Sequence, residues 1–169
     1  MKNMKKLRRL LIAVVCMAML CFVAAELNSP TRATATAPIP GLVPFPSDFS
    51  VAETGDRLEA ALAERDLNVF ARIDHAANAD SVELELRDTE LVIFGNPNVG
   101  TRLMQCNQSV AIDLPQKMLI WEDETGQTWL AYNSPTYLME RHALSDCEPV
   151  INRIGEVLED IAQQTIQES

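Results

Sequence analysis

The sequence has few basic residues, few aromatic residues and little histidine. Its 169 residues include 14 Lys and Arg against 24 Asp and Glu, which gives a formal net charge of −10, with 5% aromatic residues and two histidines. A negative field of this size repels phosphate backbones and anionic lipid. We therefore expect no nucleic-acid partner and no attachment to a membrane through basic residues.

Motifs of three common enzyme classes are also missing. The Gly-x-Ser-x-Gly elbow of serine hydrolases does not occur, and no Cys-x-x-Cys redox motif follows the N-terminal region. The segment 95–101 has the strand, Gly-x4-Gly and helix order of a phosphate loop. However, Thr101 stands where the lysine belongs and Pro97 removes a backbone donor. Nucleotide hydrolysis and nucleophilic catalysis are therefore poor candidates.

The N-terminus carries a long apolar run that predicts a secretory signal peptide. Five basic residues precede the run, which extends from Leu10 to Val23, and two alanines follow before Glu26. A helix that spans a membrane needs about 20 apolar residues, and this run is shorter. We predict a signal peptide over 1–25 and a periplasmic or secreted protein with no membrane span after cleavage. An uncleaved membrane anchor is the alternative.

The region after the signal predicts a tether followed by one domain. Residues 26–48 contain five prolines among Thr and Ala, a composition typical of an extended chain with no fold of its own. We expect a single α+β domain over 49–169.

Hydrophobic periodicity predicts the elements of this domain. Leu67–Ile73 alternates as a strand does, Glu90–Phe94 contains the continuous apolar run Leu91–Phe94 and predicts a strand covered on both faces, and Asp123–Gly126 predicts a hairpin turn. Antiparallel-compatible strands with helices on one face indicate an α+β domain rather than a doubly wound parallel sheet. The predicted order is strand 49–52, helix 54–66, strand 67–73, a short helix ending near 86, strand 90–94, helix 101–113, strands 117–122 and 128–132, a helix from 135, and a last helix at 149–166.

Several sequence blocks together resemble the domain of unknown function 302 family. The most specific are Glu90–Pro97, which ends in Phe-Gly-Asn-Pro, and Ile112–Pro115, which reads Ile-Asp-Leu-Pro. The resemblance covers about residues 54–144. It implies a strand, helix, four strands and helix fold, similar in outline to half of the TATA-binding protein, and a homodimer. It implies no catalytic residue and no cofactor, and the helix at 149–166 is additional to the family pattern.

Cys106 and Cys147 remain after the predicted cleavage. In an oxidising compartment such a pair can form a disulfide that closes a loop of about 40 residues. Cys106 also shares a helical face with Leu103 and Val110, so separate burial of the two thiols is the alternative.

Polar residues at predicted strand ends and loop tips supply the candidate ligand site, because such positions tend to line clefts. The candidates are Asp74, His75, Asn96, Thr101, Arg102, Met104, Asn133 and His142. Free N–H groups at the start of the helix after Gly100 could hold a small anion, with Asn96 and Arg102 beside them. A tight strand-to-helix turn is the other interpretation of the same glycines.

The leading functional hypothesis is an exported, non-enzymatic, dimeric domain that binds a small ligand or a partner protein. A second hypothesis is periplasmic handling of copper or zinc by His75, His142 and Met104, since copper(I) prefers soft ligands. No metal-binding spacing supports this hypothesis. A third is an enzyme with acid–base chemistry at Asp74 and His75.

Overall fold

A five-stranded antiparallel sheet organises residues 39–168, the part of the chain that this computed structural model describes. The strands are β1 (Leu42–Ser47), β2 (Asn68–Asp74), β3 (Thr89–Gly95), β4 (Gln116–Glu122) and β5 (Thr128–Asn133). Their order across the sheet is β1-β5-β4-β3-β2, and each strand runs antiparallel to its neighbours. The predicted α+β class is confirmed.

Helices and short 3-10 turns connect the strands. Within the described residues the α-helices are α1 (Val51–Ala63), α2 (His75–Asp80), α3 (Pro97–Cys106), α4 (Pro135–His142) and α5 (Glu148–Ile166). The 3-10 turns are Gln108–Ile112 and Ser145–Cys147. The predicted C-terminal helix is confirmed as α5. Over residues 39–168 no helix combines the length and the apolar character that crossing a bilayer requires.

The core lies between one face of the sheet and the helices α1 and α5. Val92 and Phe94 of β3 point into it, whereas Leu91 and Ile93 on the opposite face are half-buried. The expectation of a strand covered on both faces therefore needs correction, because the helices cover one face only. Other fully buried side chains are Leu58 and Leu62 of α1, Met118 and Ile120 of β4, Leu130 of β5, and Ile151 and Ile161 of α5.

The sheet begins earlier than the sequence predicted. β1 lies within the segment that we interpreted as a tether, so that interpretation was wrong for its last part. Pro44 and Pro46 fit there because β1 is an edge strand, where a missing N–H donor is tolerated. The predicted strand 49–52 is also wrong, since Ser50 caps α1 and its side chain accepts a hydrogen bond from the Glu53 N–H at 3.2 Å. The predicted signal peptide lies outside the described residues.

Two helix boundaries also differ from the prediction. The helix expected at 101–113 begins at Pro97 and ends at Cys106, and the 3-10 turn Gln108–Ile112 follows it. Proline is favoured at a first helical position, and Asn96 before it supplies the cap. The helix expected to end near 86 ends at Asp80, and residues 81–88 are exposed and irregular.

A half-buried ion-pair cluster connects α1 to the sheet. The Arg72 guanidinium of β2 donates to Glu90 Oε2 at 2.6 Å, to Asp56 Oδ1 at 2.6 Å and to the main-chain oxygen of Ala52 at 3.0 Å. The hydrogen bond to Glu90 raises the pKa of Arg72, so the guanidinium remains charged. Gly55 makes room for it, because a Cβ there would lie 2.6 Å from Arg72 Cζ and 2.8 Å from Glu90 Oε2.

We predict that Gly55→Ala lowers the free energy of unfolding by about 1–3 kcal/mol, because the added methyl group displaces the guanidinium from its carboxylate partners. Gly100→Ala is the matched control. Its Cβ would meet only Leu114 Cδ1 at 3.8 Å, so the better helix propensity should raise stability by up to about 1 kcal/mol. Urea unfolding of both variants measures the difference. Equal stability of the two variants would contradict the assigned role of Gly55.

Candidate ligand-binding cleft

A cleft with a volume of about 1000 Å³ opens between α3, α5 and the edge of the sheet where β3 meets β2. This volume lies at the upper end of the roughly 300–1,000 Å³ typical of small-molecule sites. Most of its surface is apolar, as in sites that bind small molecules by contact area. The apolar side chains include Leu67 and Phe70 from the β2 side, Leu103 and Met104 from α3, and Ile154 and Val157 from α5.

Two apolar side chains at this cleft remain open to solvent. Phe70 is 53% exposed and Val99 is 38% exposed. Phe70 lies where the pairing of β2 with β3 shifts register, between Val69 and Ala71, so it stands outside the regular ladder. Both side chains therefore offer exposed apolar surface at the cleft, where a ligand could cover it.

The turn from β3 into α3 forms one rim of the cleft. The Asn96 side chain accepts a hydrogen bond from the Asn98 N–H at 2.9 Å, and its main-chain oxygen accepts from Val99 N at 3.0 Å and Gly100 N at 3.1 Å. Pro97 has no N–H. The first donors of α3 are therefore already paired, and the geometry is that of the tight turn rather than of an anion-binding helix start.

Three arginines and one carboxylate line the cleft: Arg65, Arg102, Arg153 and Asp160. Arg65 donates to Gln164 Oε1 at 2.5 Å, and Arg153 pairs with Glu156 at 2.9 Å. Arg102 forms neither a side-chain hydrogen bond nor an ion pair with another residue in 39–168. Arg102 is thus the one arginine of this lining whose guanidinium has no protein hydrogen-bond partner within residues 39–168.

Four of the eight candidate residues line this cleft, namely Asn96, Thr101, Arg102 and Met104. Asp74 and His75 do not. Asp74 pairs with Glu90 at the start of β3, whereas Gly95 ends that strand, and five strand residues span about 17 Å. The Asp74 side chain caps α2 by accepting from the Ala77 N–H at 2.8 Å. Asn133 ends β5 and likewise does not line the cleft.

The last candidate, His142, is buried in a polar cluster that sequence reasoning missed. Its Nδ1 lies 2.9 Å from Ser109 Oγ and its Nε2 lies 2.5 Å from Asp113 Oδ2. In serine hydrolases Nε2 faces the serine and Nδ1 faces the carboxylate, which is the reverse arrangement. The Ser109 N–H already donates to Asn107 Oδ1 at 3.0 Å, so it is not available for an oxyanion. The cluster joins α4 to the 3-10 turn Gln108–Ile112 and to Asp113, which follows that turn.

A metal site of the predicted kind does not assemble in the described residues. Met104 lines the cleft, whereas His75 starts α2 and His142 is held by Ser109 and Asp113. Between residues 39 and 168 no three His, Cys, Asp or Glu side chains form a group that could hold a metal ion.

A disulfide joins the two helices that form the walls of the cleft. Cys106 ends α3 and Cys147 immediately precedes α5, and their Cα atoms are 6.5 Å apart. The bridge links residues 41 positions apart in the sequence. The structure therefore contains a disulfide between Cys106 and Cys147 and not two separately buried thiols.

We predict that replacing both cysteines by alanine lowers the free energy of unfolding by about 2–4 kcal/mol, because the unfolded chain loses a covalent constraint. Chemical denaturation with and without dithiothreitol measures the effect. Reductant should destabilise the wild-type protein by a similar amount and leave the double variant unchanged. Insensitivity of the wild type to reductant would argue against a bridge in solution.

Comparison with known proteins places this architecture in a family. The family model described as "Domain of unknown function DUF302" matches residues 43–161, so the family pattern extends beyond the expected 54–144 at both ends and includes most of α5, which we had expected to be additional to it. The crystal structure of an uncharacterized conserved DUF302 protein from Bacillus stearothermophilus superposes with a TM-score of 0.68 at 18% identity. The superposition covers 75% of this chain and 99% of that chain, which shows a shared fold.

Curated relatives have a higher sequence identity to this chain than that crystal structure has, but the match covers a smaller part of their length. The proteins named "Fluoride-specific ion channel FluC 1" of Brucella suis biovar 1 (strain 1330) and of Brucella abortus biovar 1 (strain 9-941) are each 48% identical over 104 residues. The match covers 62% of this chain, but only 41% and 38% of those two proteins. This chain therefore spans about two fifths of the length of the relatives.

Proposed function

We propose that this chain, which belongs to the DUF302 family of domains of unknown function, binds a small and mainly apolar molecule in the cleft between α3 and α5. The observation that carries the proposal is the cleft itself. It combines a volume of about 1000 Å³ with an apolar lining and with the exposed side chains of Phe70 and Val99. The proposal requires binding alone, with no catalytic step.

The disulfide supports this proposal because it fixes one end of the cleft. Because the two walls are held in place before a ligand binds, less of the binding free energy is lost to ordering of the protein. The apolar surface is therefore maintained as a site rather than closed by collapse of α3 onto α5.

We predict that Phe70→Ser with Val99→Ser weakens binding of the uncharged probe N-phenyl-1-naphthylamine by roughly tenfold, because both side chains contribute apolar contact area. Probe fluorescence measures the affinity. Since both side chains are at least one-third exposed, the free energy of unfolding should change by about 0.5 kcal/mol or less per substitution.

Ile112→Ser is the matched control, because Ile112 is 74% exposed and lies outside the cleft. This variant should bind the probe as the wild type does. Equal loss of binding in the control variant, or no binding by the wild type, would overturn the proposal.

We further propose that the protein acts after export, as the predicted leader over 1–25 implies. A disulfide is consistent with an oxidising compartment. Homodimerisation, which the family resemblance implied, stays a prediction. The outer face of the sheet would be a suitable interface, since Leu91, Ile93 and Trp121 are only half-buried there.

A second candidate function is an accessory role in fluoride resistance. The observation that favours it is the 48% identity to proteins named as fluoride-specific ion channels. If this candidate is correct, cells of the source organism that lack the gene should stop growing at lower fluoride concentrations than the wild type does. A plasmid copy should restore growth. Equal fluoride tolerance with and without the gene would end this candidate.

A further inference from the structure

We propose that the molecule bound in the cleft is a single-chain amphiphile with an anionic headgroup, whose charge is neutralised by Arg102. This inference rests on the proposed function and names the class of ligand for the same site. The headgroup is a carboxylate or a phosphate, since both present anionic oxygens to a guanidinium.

The charges at the cleft favour an anion. Arginines supply three of the four charged side chains in its lining, although acidic residues outnumber basic ones in the chain as a whole. Arg65 donates to the neutral groups Gln164 Oε1 and Ala61 O, and Arg153 is paired with Glu156, so Arg102 is the one of the three whose guanidinium is not already hydrogen-bonded within residues 39–168. An uncharged ligand would leave this exposed guanidinium bonded to water alone.

The position of Arg102 on α3 explains why the ligand must be amphiphilic. Arg102 is exposed, whereas the next two residues along the same helix, Leu103 and Met104, are buried and half-buried. One stretch of α3 therefore offers a charged contact near solvent and apolar contacts further inside. A ligand that satisfies both contacts has a polar end and an apolar body.

Polar groups beside Arg102 can complete the headgroup contacts. Thr101 is exposed at the same rim and carries a hydroxyl that can donate to an anionic oxygen. Asp160 is the one carboxylate of the lining, and it belongs to α5 on the opposite wall. A negative headgroup is therefore favoured on the α3 side of the cleft.

The test uses the protein from residue 26 to its C-terminus and measures displacement of N-phenyl-1-naphthylamine. Four competitors share a chain length: dodecanoate, dodecyl phosphate, dodecanol and dodecyltrimethylammonium, each below its micelle-forming concentration. We expect the two anions to bind roughly five- to tenfold more tightly than dodecanol, and the cation to bind more weakly than dodecanol. Added salt should reduce the preference for the anions.

Arg102→Gln should remove the preference for the anions and leave the affinity for dodecanol unchanged. Arg87→Gln is the control, because Arg87 is exposed and donates to the Glu122 main-chain oxygen away from the cleft. Equal binding of dodecanol and the anions by the wild type would overturn this inference and leave the proposed function standing. Failure of the probe itself to bind would overturn both, and would indicate that the chain or a second copy fills the cleft.

Discussion

The rest of the structure depends on packing of one face of the sheet against α1 and α5. Alternate residues of β3 and β4 enter this layer, and Val92, Met118 and Ile120 are fully buried there. The Arg72 and Glu90 pair lies at the border of the same layer and determines where α1 can approach the strands. A glycine is needed in α1 for that reason, and no local helix preference would have selected it.

The cleft is a consequence of this packing. α1 and the sheet form the central layer, while α3 follows β3 out of the sheet and is attached to the start of α5 by the disulfide. The space between α3 and α5 is therefore held at one end by a covalent bond and is lined elsewhere by apolar side chains. Phe70, which is exposed, lines the resulting site, and Ile154 at the border of the core lines it as well.

The sequence predicted the parts of this fold that depend on local patterns. Alternation identified β2, the apolar run identified β3, and Asp123–Gly126 identified the hairpin between β4 and β5. The sequence-based prediction was wrong at β1, because prolines occur both in edge strands and in extended tethers and do not distinguish the two. It also placed the start of α3 too late, since the cap depends on Asn96 and Pro97 rather than on Thr101.

The site was predicted only in part, because it depends on contacts between distant segments. Asn96, Thr101, Arg102 and Met104 were recognised from one continuous segment. The α5 wall was not recognised, since hydrophobic periodicity alone does not show which residues of an amphipathic helix face a cavity. The link of His142 to Ser109 and Asp113 requires α4 to return beside the 3-10 turn, which no local pattern reveals.

The two edges of the sheet have a consequence for self-association. On β1, Pro44 and Pro46 lack the N–H groups that an added strand would need, and β2 on the far side is interrupted by its register shift next to Phe70. Neither border can serve as a template for continuous hydrogen bonding with another molecule. Growth into stacked fibrils by strand addition is disfavoured, and copies of the protein that associate must do so through faces instead of edges.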